Sequence, residues 1–306
     1  MKRSLVPVGV GLLVAGLVAG VGPSVAAKPP PPSAWSSMRH QFDYQRQPLH
    51  VVEHGATLRD GAVVHDITYN APGQSPVDAY LVTPARSGRH AGALFLHWLE
   101  TPDVSNRGEF LDEAVALAGH GAGLVSLLPQ LVFPFAYGPI GDERDKDSIV
   151  KQVTQLRRGL DLLESRADVD RHRVAVVGHD YGAMYASLLG AVDRDRVRSA
   201  VVMAADATFA NWFVTFFLDL PPDAVAPYRA LFASVDPINY VGHAPDGGIL
   251  LQYATDDFFI PNDLAGQIEA AAGEPKVVRN YAVDHSLDIP AARADRDAFL
   301  ARTLRR

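Results

Sequence analysis

The strongest chemical signal in this chain is a pentapeptide, Gly178-His179-Asp180-Tyr181-Gly182. An apolar run at residues 174–177 leads into it, and small helix-forming residues follow from Ala183. A strand–turn–helix of this kind holds its central residue in a strained backbone conformation, with glycines where strand and helix crowd together. The central residue here is an acid. A carboxylate is already ionised near neutral pH and needs no base before it attacks carbon. The first turn of the following helix would also direct backbone N–H groups at an anion. An aspartate after a strand can equally cap the helix, so its partners decide between the two roles.

Two partners follow downstream. An apolar run at 249–253 ends in Asp256 and Asp257, and another at 277–281 leads to a loop holding His285. Nucleophile, acid and histidine in that chain order is the order of the α/β-hydrolase triad. Asp257 is the preferred acid, because Ile260-Pro261 stands at the D-x-x-[VI]-P spacing; Asp256 then only ends the strand. Upstream, the run at 93–97 closes on His97, followed by Trp98, Leu99 and Glu100. In the triad fold this loop donates one oxyanion-hole N–H and the residue after the nucleophile donates the other. Leu99, with Trp98 as its rival, and Tyr181 are therefore the expected backbone donors. His97 reads as a structural hydrogen-bonding residue. No second histidine stands at helical spacing from it, so no metal is expected.

The elements that must position these residues alternate between strand and helix. Residues 62–69 and 77–83 read as paired strands near a sheet edge. Short apolar runs at 93–97, 124–128, 174–177, 200–204, 249–253 and 277–281 read as central strands covered on both faces. Helical patterns lie at 109–119, 148–165, 183–191, 263–272 and 293–304. Within 148–165, Ile149, Val153, Leu156, Leu160 and Leu163 form an apolar stripe. The expected fold is therefore a doubly wound, mostly parallel, eight-stranded α/β sheet. The charged stretches 142–147 and 193–198 read as solvated turns.

Composition narrows the function. The 306 residues are 48% hydrophobic and carry a formal charge of −7, which excludes a disordered chain and leaves no basic footprint for nucleic acid. With no cysteine, disulfides, a thiol nucleophile and Cys-ligated metals are excluded. No glycine-rich phosphate turn opens a helix, so no nucleotide cofactor is expected and a dehydrogenase reading fails. Residues 1–27 combine Lys2 and Arg3, an apolar Gly-rich stretch and a small-residue end, which is the pattern of a cleaved signal peptide. Export without a stable membrane anchor follows, then a Pro-rich linker at 28–34 and a catalytic domain over 35–306. Within it, residues 205–248 form a short aromatic segment that reads either as a small apolar lid over the site or as a core helix that happens to be aromatic.

Over nearly all of that domain the chain resembles the α/β-hydrolase superfamily. The layout resembles its dienelactone-hydrolase-like branch, with a D-F-F-I-P acid loop and a D-H-S-L histidine loop. The elbow resembles the G-H-D-W-G of epoxide hydrolases and haloalkane dehalogenases. Tyr181 replaces the tryptophan that binds halide in dehalogenases, and His97-Trp-Leu-Glu100 replaces the H-G-x-P loop of epoxide hydrolases. The resemblance implies that Asp180 attacks a small substrate to form a covalent ester, which water activated by His285 and Asp257 then hydrolyses. Attack on an ordinary ester would give a higher-energy mixed anhydride, so an epoxide is the leading substrate, with an ester, a lactone or a haloalkane as alternatives. Trp98, Trp212, Tyr228 and Tyr240 are expected to line the pocket, with Tyr228 or Tyr240 reaching over Asp180 to protonate an opening ring. A catalytically inactive secreted binding protein is the non-enzyme alternative.

Overall fold

The computed structural model describes residues 32–98, 106–120 and 123–305. The expected signal peptide, most of the linker, and Leu99 lie outside these residues. Three strands, β1 (Val52–Arg59), β2 (Ala62–Tyr69) and β3 (Val77–Pro84), form an antiparallel meander. Six more, β4 (His90–Leu96), β5 (Val125–Pro129), β6 (Val169–His179), β7 (Ser199–Met203), β8 (Ile249–Ala254) and β9 (Lys276–Tyr281), run parallel. They join into one sheet of order β1-β2-β3-β5-β4-β6-β7-β8-β9, with β3 antiparallel to β5. The apolar runs of β4, β5, β7 and β8 are buried throughout, as strands covered on both faces must be.

The sheet thus has nine strands where eight were expected. The extra one, β1, is exposed along almost its whole length, so no apolar pattern marks it. The helices are α1 (Pro32–His40), α2 (Leu111–Gly119), α3 (Glu143–Ser165), α4 (Tyr181–Val192), α5 (Phe209–Phe216), α6 (Pro222–Leu231), α7 (Asn262–Ala271) and α8 (Pro290–Thr303). Helix α1 begins inside the stretch read as linker. A proline suits a first helical position, where its missing N–H would have no partner. Trp35 fixes α1 to the domain by stacking on His243, with ring centroids 3.7 Å apart.

The stripe expected on α3 is buried. Residues 142–147 are not a solvated turn but the cap and first turn of that helix. Asp142 accepts the Arg144 N–H, and buried Asp145 accepts the N–H groups of Ile140 and Gly141. Helix α4 is buried on every side, which its small residues Gly182, Ala183, Ala186 and Gly190 permit. From β4 the sheet grows in one direction through β5 and in the other through β6. The crevice at their carboxyl ends is the switch point where doubly wound sheets place their ligands.

Candidate active site

Asp180 stands at that crevice, between β6 and α4, with φ 54° and ψ −116°. Few non-glycine residues tolerate this region, and strain of this kind persists only where the surroundings enforce it. The enforcement is visible. The Asp180 N–H donates to Met203 O at 2.8 Å, and its carbonyl accepts the Met184 N–H at 3.0 Å. A Cβ on Gly178 would lie 2.1 Å from Gly182 O, and one on Gly182 would lie 2.0 Å from Leu96 O. Both glycines are therefore sterically required. The Asp180 side chain, 1% exposed, does not cap α4, so the bland reading of this aspartate as a helix cap is not realised.

The acid and the histidine meet. His285 Nδ1 lies 2.8 Å from Asp257 Oδ2 and 3.0 Å from Oδ1, and both residues are buried. Asp257 Oδ1 also accepts the N–H groups of Phe259 and Ile260, so the loop's own backbone orients the carboxylate. Asp256 is exposed and does not end the strand, which stops at Ala254; it lies in the turn that follows. The carboxylate fixes a proton on Nδ1 and leaves the Nε2 lone pair for chemistry. The residue before Asp180 contacts this histidine directly, and the residue after it does so only through Trp212. His179 Nε2 donates to His285 O at 2.9 Å, while the Tyr181 ring lies 5.2 Å from Trp212, whose ring stands 6.5 Å from His285.

At the end of β4, His97 is enclosed. Its Nδ1 donates to Trp98 O at 2.8 Å and its Nε2 accepts the Leu131 N–H at 2.9 Å. Burial pushes its pKa down to about 4, against weaker upward pulls from the Trp98 carbonyl and Glu109. The Trp98 N–H, the rival oxyanion donor, is already taken by Glu109 Oε2 at 2.6 Å. Of the expected donors, Tyr181 opens α4, where its N–H has no acceptor one turn back within the helix.

Of the four expected pocket residues, two lie at the histidine and two do not. Trp98 stacks on His179 and His285 at 5.2 and 6.1 Å, and Trp212 stacks on Phe259, itself 4.9 Å from His285. The Tyr228 hydroxyl instead donates to Asp145 Oδ2 at 2.7 Å. That of Tyr240 donates to Ser234 O at 2.6 Å, beside Trp35 and Phe42. Neither reaches over Asp180, because each phenol is drawn to a strong acceptor in its own layer. The 205–248 segment buries most of its rings, among them Phe209, Phe213 and Phe232, leaving Phe216 and Phe217 exposed.

Sequence reasoning missed Glu109 and Asp206. Glu109 Oε1 lies 2.7 Å from His179 Nδ1. Asp206 accepts from the Thr208 N–H and from Asn211 Nδ2, tying down the start of the helix that carries Trp212. Its burial raises its pKa to about 6, partly offset by those hydrogen bonds. An aspartate just past an apolar strand is the one signal that marked it. Two buried donors, Tyr181 Oη and Trp212 Nε1, have no partner among the described residues. Among those residues no group of three or more His, Asp or Glu side chains could hold a metal, and no helix is long and apolar enough to cross a membrane.

No family model matches the sequence, and no curated protein does. Solved structures do resemble the fold. Acetyl xylan esterase 1 of a Thermoanaerobacterium species is 13% identical with a TM-score of 0.67, covering 90% of this chain and 95% of its own. An acetyl xylan esterase of a Paenibacillus species is 16% identical with a TM-score of 0.65, covering 88% and 93%. An S-formylglutathione hydrolase of Agrobacterium tumefaciens is 16% identical with a TM-score of 0.61, covering 83% and 99%. The fold is that of the α/β-hydrolases.

Proposed function

We propose that the protein is an exported hydrolase in which Asp180 attacks a saturated carbon and the Asp257–His285 pair hydrolyses the resulting ester. The observation that carries this reading is a buried carboxylate on a strained elbow, preceded by a residue that hydrogen-bonds the backbone of a carboxylate-oriented histidine. For an epoxide, an Asp180 oxygen bonds to a ring carbon, the C–O bond breaks and its electron pair goes to the ring oxygen, which takes up a proton. His285 Nε2 then removes a proton from water, and the hydroxide attacks the carboxyl carbon of Asp180. Collapse of the tetrahedral intermediate frees the diol and restores the carboxylate. The imidazolium proton replaces the one given to the ring oxygen, and the proton of the added hydroxide passes to the departing alkoxide, so the sum is epoxide plus water to diol.

The lid tyrosines expected to protonate the ring are engaged elsewhere, so the leaving oxygen needs other donors. Tyr181 Oη and Trp212 Nε1, buried beside the site with no partner among the described residues, are the candidates. Ester or lactone hydrolysis is the second reading, favoured by the absence of Tyr228 and Tyr240 from the site and by the esterases that share the fold. A single turnover in heavy-oxygen water separates the routes, with styrene oxide and p-nitrophenyl acetate as probes. Attack by Asp180 on saturated carbon leaves label in the Asp180 peptide. With styrene oxide, label in product alone would mean that water attacks substrate directly and would overturn the reading.

A further inference from the structure

Outside the triad, His179, the elbow residue preceding Asp180, has a buried ring. Both of its nitrogens face acceptors. Nε2 lies 2.9 Å from the backbone carbonyl of His285, which can only accept, so Nε2 carries a proton. Nδ1 lies 2.7 Å from Glu109 Oε1, and Glu109 Oε2 already accepts the Trp98 N–H. An ionised carboxylate also only accepts, so a second proton must reside between Nδ1 and Oε1. The Trp98 indole covers the His179 ring at 5.2 Å and 15°, and His179 is 1% exposed.

We propose that Glu109 and His179 form a proton-sharing clamp that positions the catalytic histidine. The clamp ties the stretch from Trp98 to Glu109 to the elbow and the histidine loop, both remote from it in sequence. Glu109 stands ahead of α2, Trp98 follows β4, and His179 ends β6 while holding the carbonyl of His285. Asp257 fixes the tautomer and one edge of the His285 ring, and the clamp fixes the backbone from which that ring projects. It also occupies the Trp98 N–H, which is then not free to serve as an oxyanion donor. His179 is enclosed, and both Glu109 oxygens are engaged within the clamp. Glu109 and His179 are positioning residues, and their effect on turnover rests on the triad reading above, whereas the shared proton does not.

Glu109→Gln separates geometry from charge. A glutamine amide can donate to an Nδ1 that has lost its proton, while its oxygen accepts the Trp98 N–H, so every hydrogen bond survives without the extra proton. Ring nitrogen spectra of 15N-histidine-labelled protein should show two protonated nitrogens on His179 in the wild type and one in Glu109→Gln. A wild-type spectrum with only one protonated nitrogen would overturn the clamp, whatever the enzyme's activity. In turnover with whichever probe the wild type accepts, Glu109→Gln should stay within a few-fold. Glu109→Ala should lose roughly 10²-fold in kcat with little change in KM, as a misplaced catalytic group does. Folded Glu109→Ala protein with wild-type kcat, or Glu109→Gln as impaired as Glu109→Ala, would refute the positioning role. If no probe is turned over by the wild type, the triad reading is what has failed, and the spectra still decide on the proton.

Discussion

Asp257 holds His285 with both carboxylate oxygens, at 2.8 and 3.0 Å from Nδ1, while one of them also accepts two backbone N–H groups of its own loop. Asp257→Asn would keep the oxygen that the loop needs and present an amide N–H₂ to Nδ1. The ring would then be driven to the wrong tautomer, with its proton on Nε2. Turnover should fall by about 10⁴-fold, the scale seen where a triad acid is neutralised without loss of geometry. Measuring kcat beside thermal unfolding checks this, since the folded fraction should hardly change.

The elbow glycines predict a steric result. Gly182→Ala would drive a methyl to 2.0 Å from Leu96 O, backbone that is itself locked in the sheet. Loss of about 3 kcal/mol, the upper end of typical overpacking, is expected in denaturant unfolding, with loss of turnover. Gly266→Ala is the control. Nothing lies within 4 Å of a Cβ there, and that variant should be close to wild type.

Tyr181→Phe should separate stability from function. Its hydroxyl is buried without a partner among the described residues, so removing it relieves a desolvation cost of about 1 to 3 kcal/mol. The variant should unfold at higher denaturant than wild type and turn over more slowly, because the hydroxyl's acceptor would be the substrate's leaving oxygen. Equal activity with a gain in stability would leave that oxygen to Trp212 Nε1, which Trp212→Phe tests in the same way.

Much of this arrangement was legible in the sequence, and what was not has physical causes. Buried strands announce themselves because both faces must be apolar, and the glycines of the elbow because no other residue fits. Asp257 was separable from Asp256 through the spacing to Ile260-Pro261. Strand β1 was invisible because exposure on both faces leaves no periodicity. Tyr228 and Tyr240 were misplaced because an aromatic-rich segment says nothing about which ring turns to the site and which to the core. Glu109 looked like an ordinary acid at the head of a helix, and its partner His179 lies seventy residues away.

Two buried groups should make stability respond to pH in opposite directions. His97 is held neutral, with its pKa pushed by burial from 6.5 down to about 4. Between those values the unfolded chain binds the proton and the native state does not, so this contribution is lost as pH falls. Asp206 is the reverse, with burial raising its pKa from 3.8 to about 6. In that window the native state holds the proton and the unfolded chain does not, so stability is lost as pH rises. Each slope is about 1.4 kcal/mol per pH unit at full effect, and the two oppose each other between pH 4 and 6. His97→Gln should remove the first and leave stability falling as pH rises through that window. Asp206→Asn should remove the second and leave it rising. Denaturant unfolding at several values from pH 4.5 to 6.5, taken as variant minus wild type, cancels the other carboxylates. Difference curves that are flat for both variants would mean that neither group titrates with folding, and curves of the same sign would mean that one of the two buried environments is wrongly described.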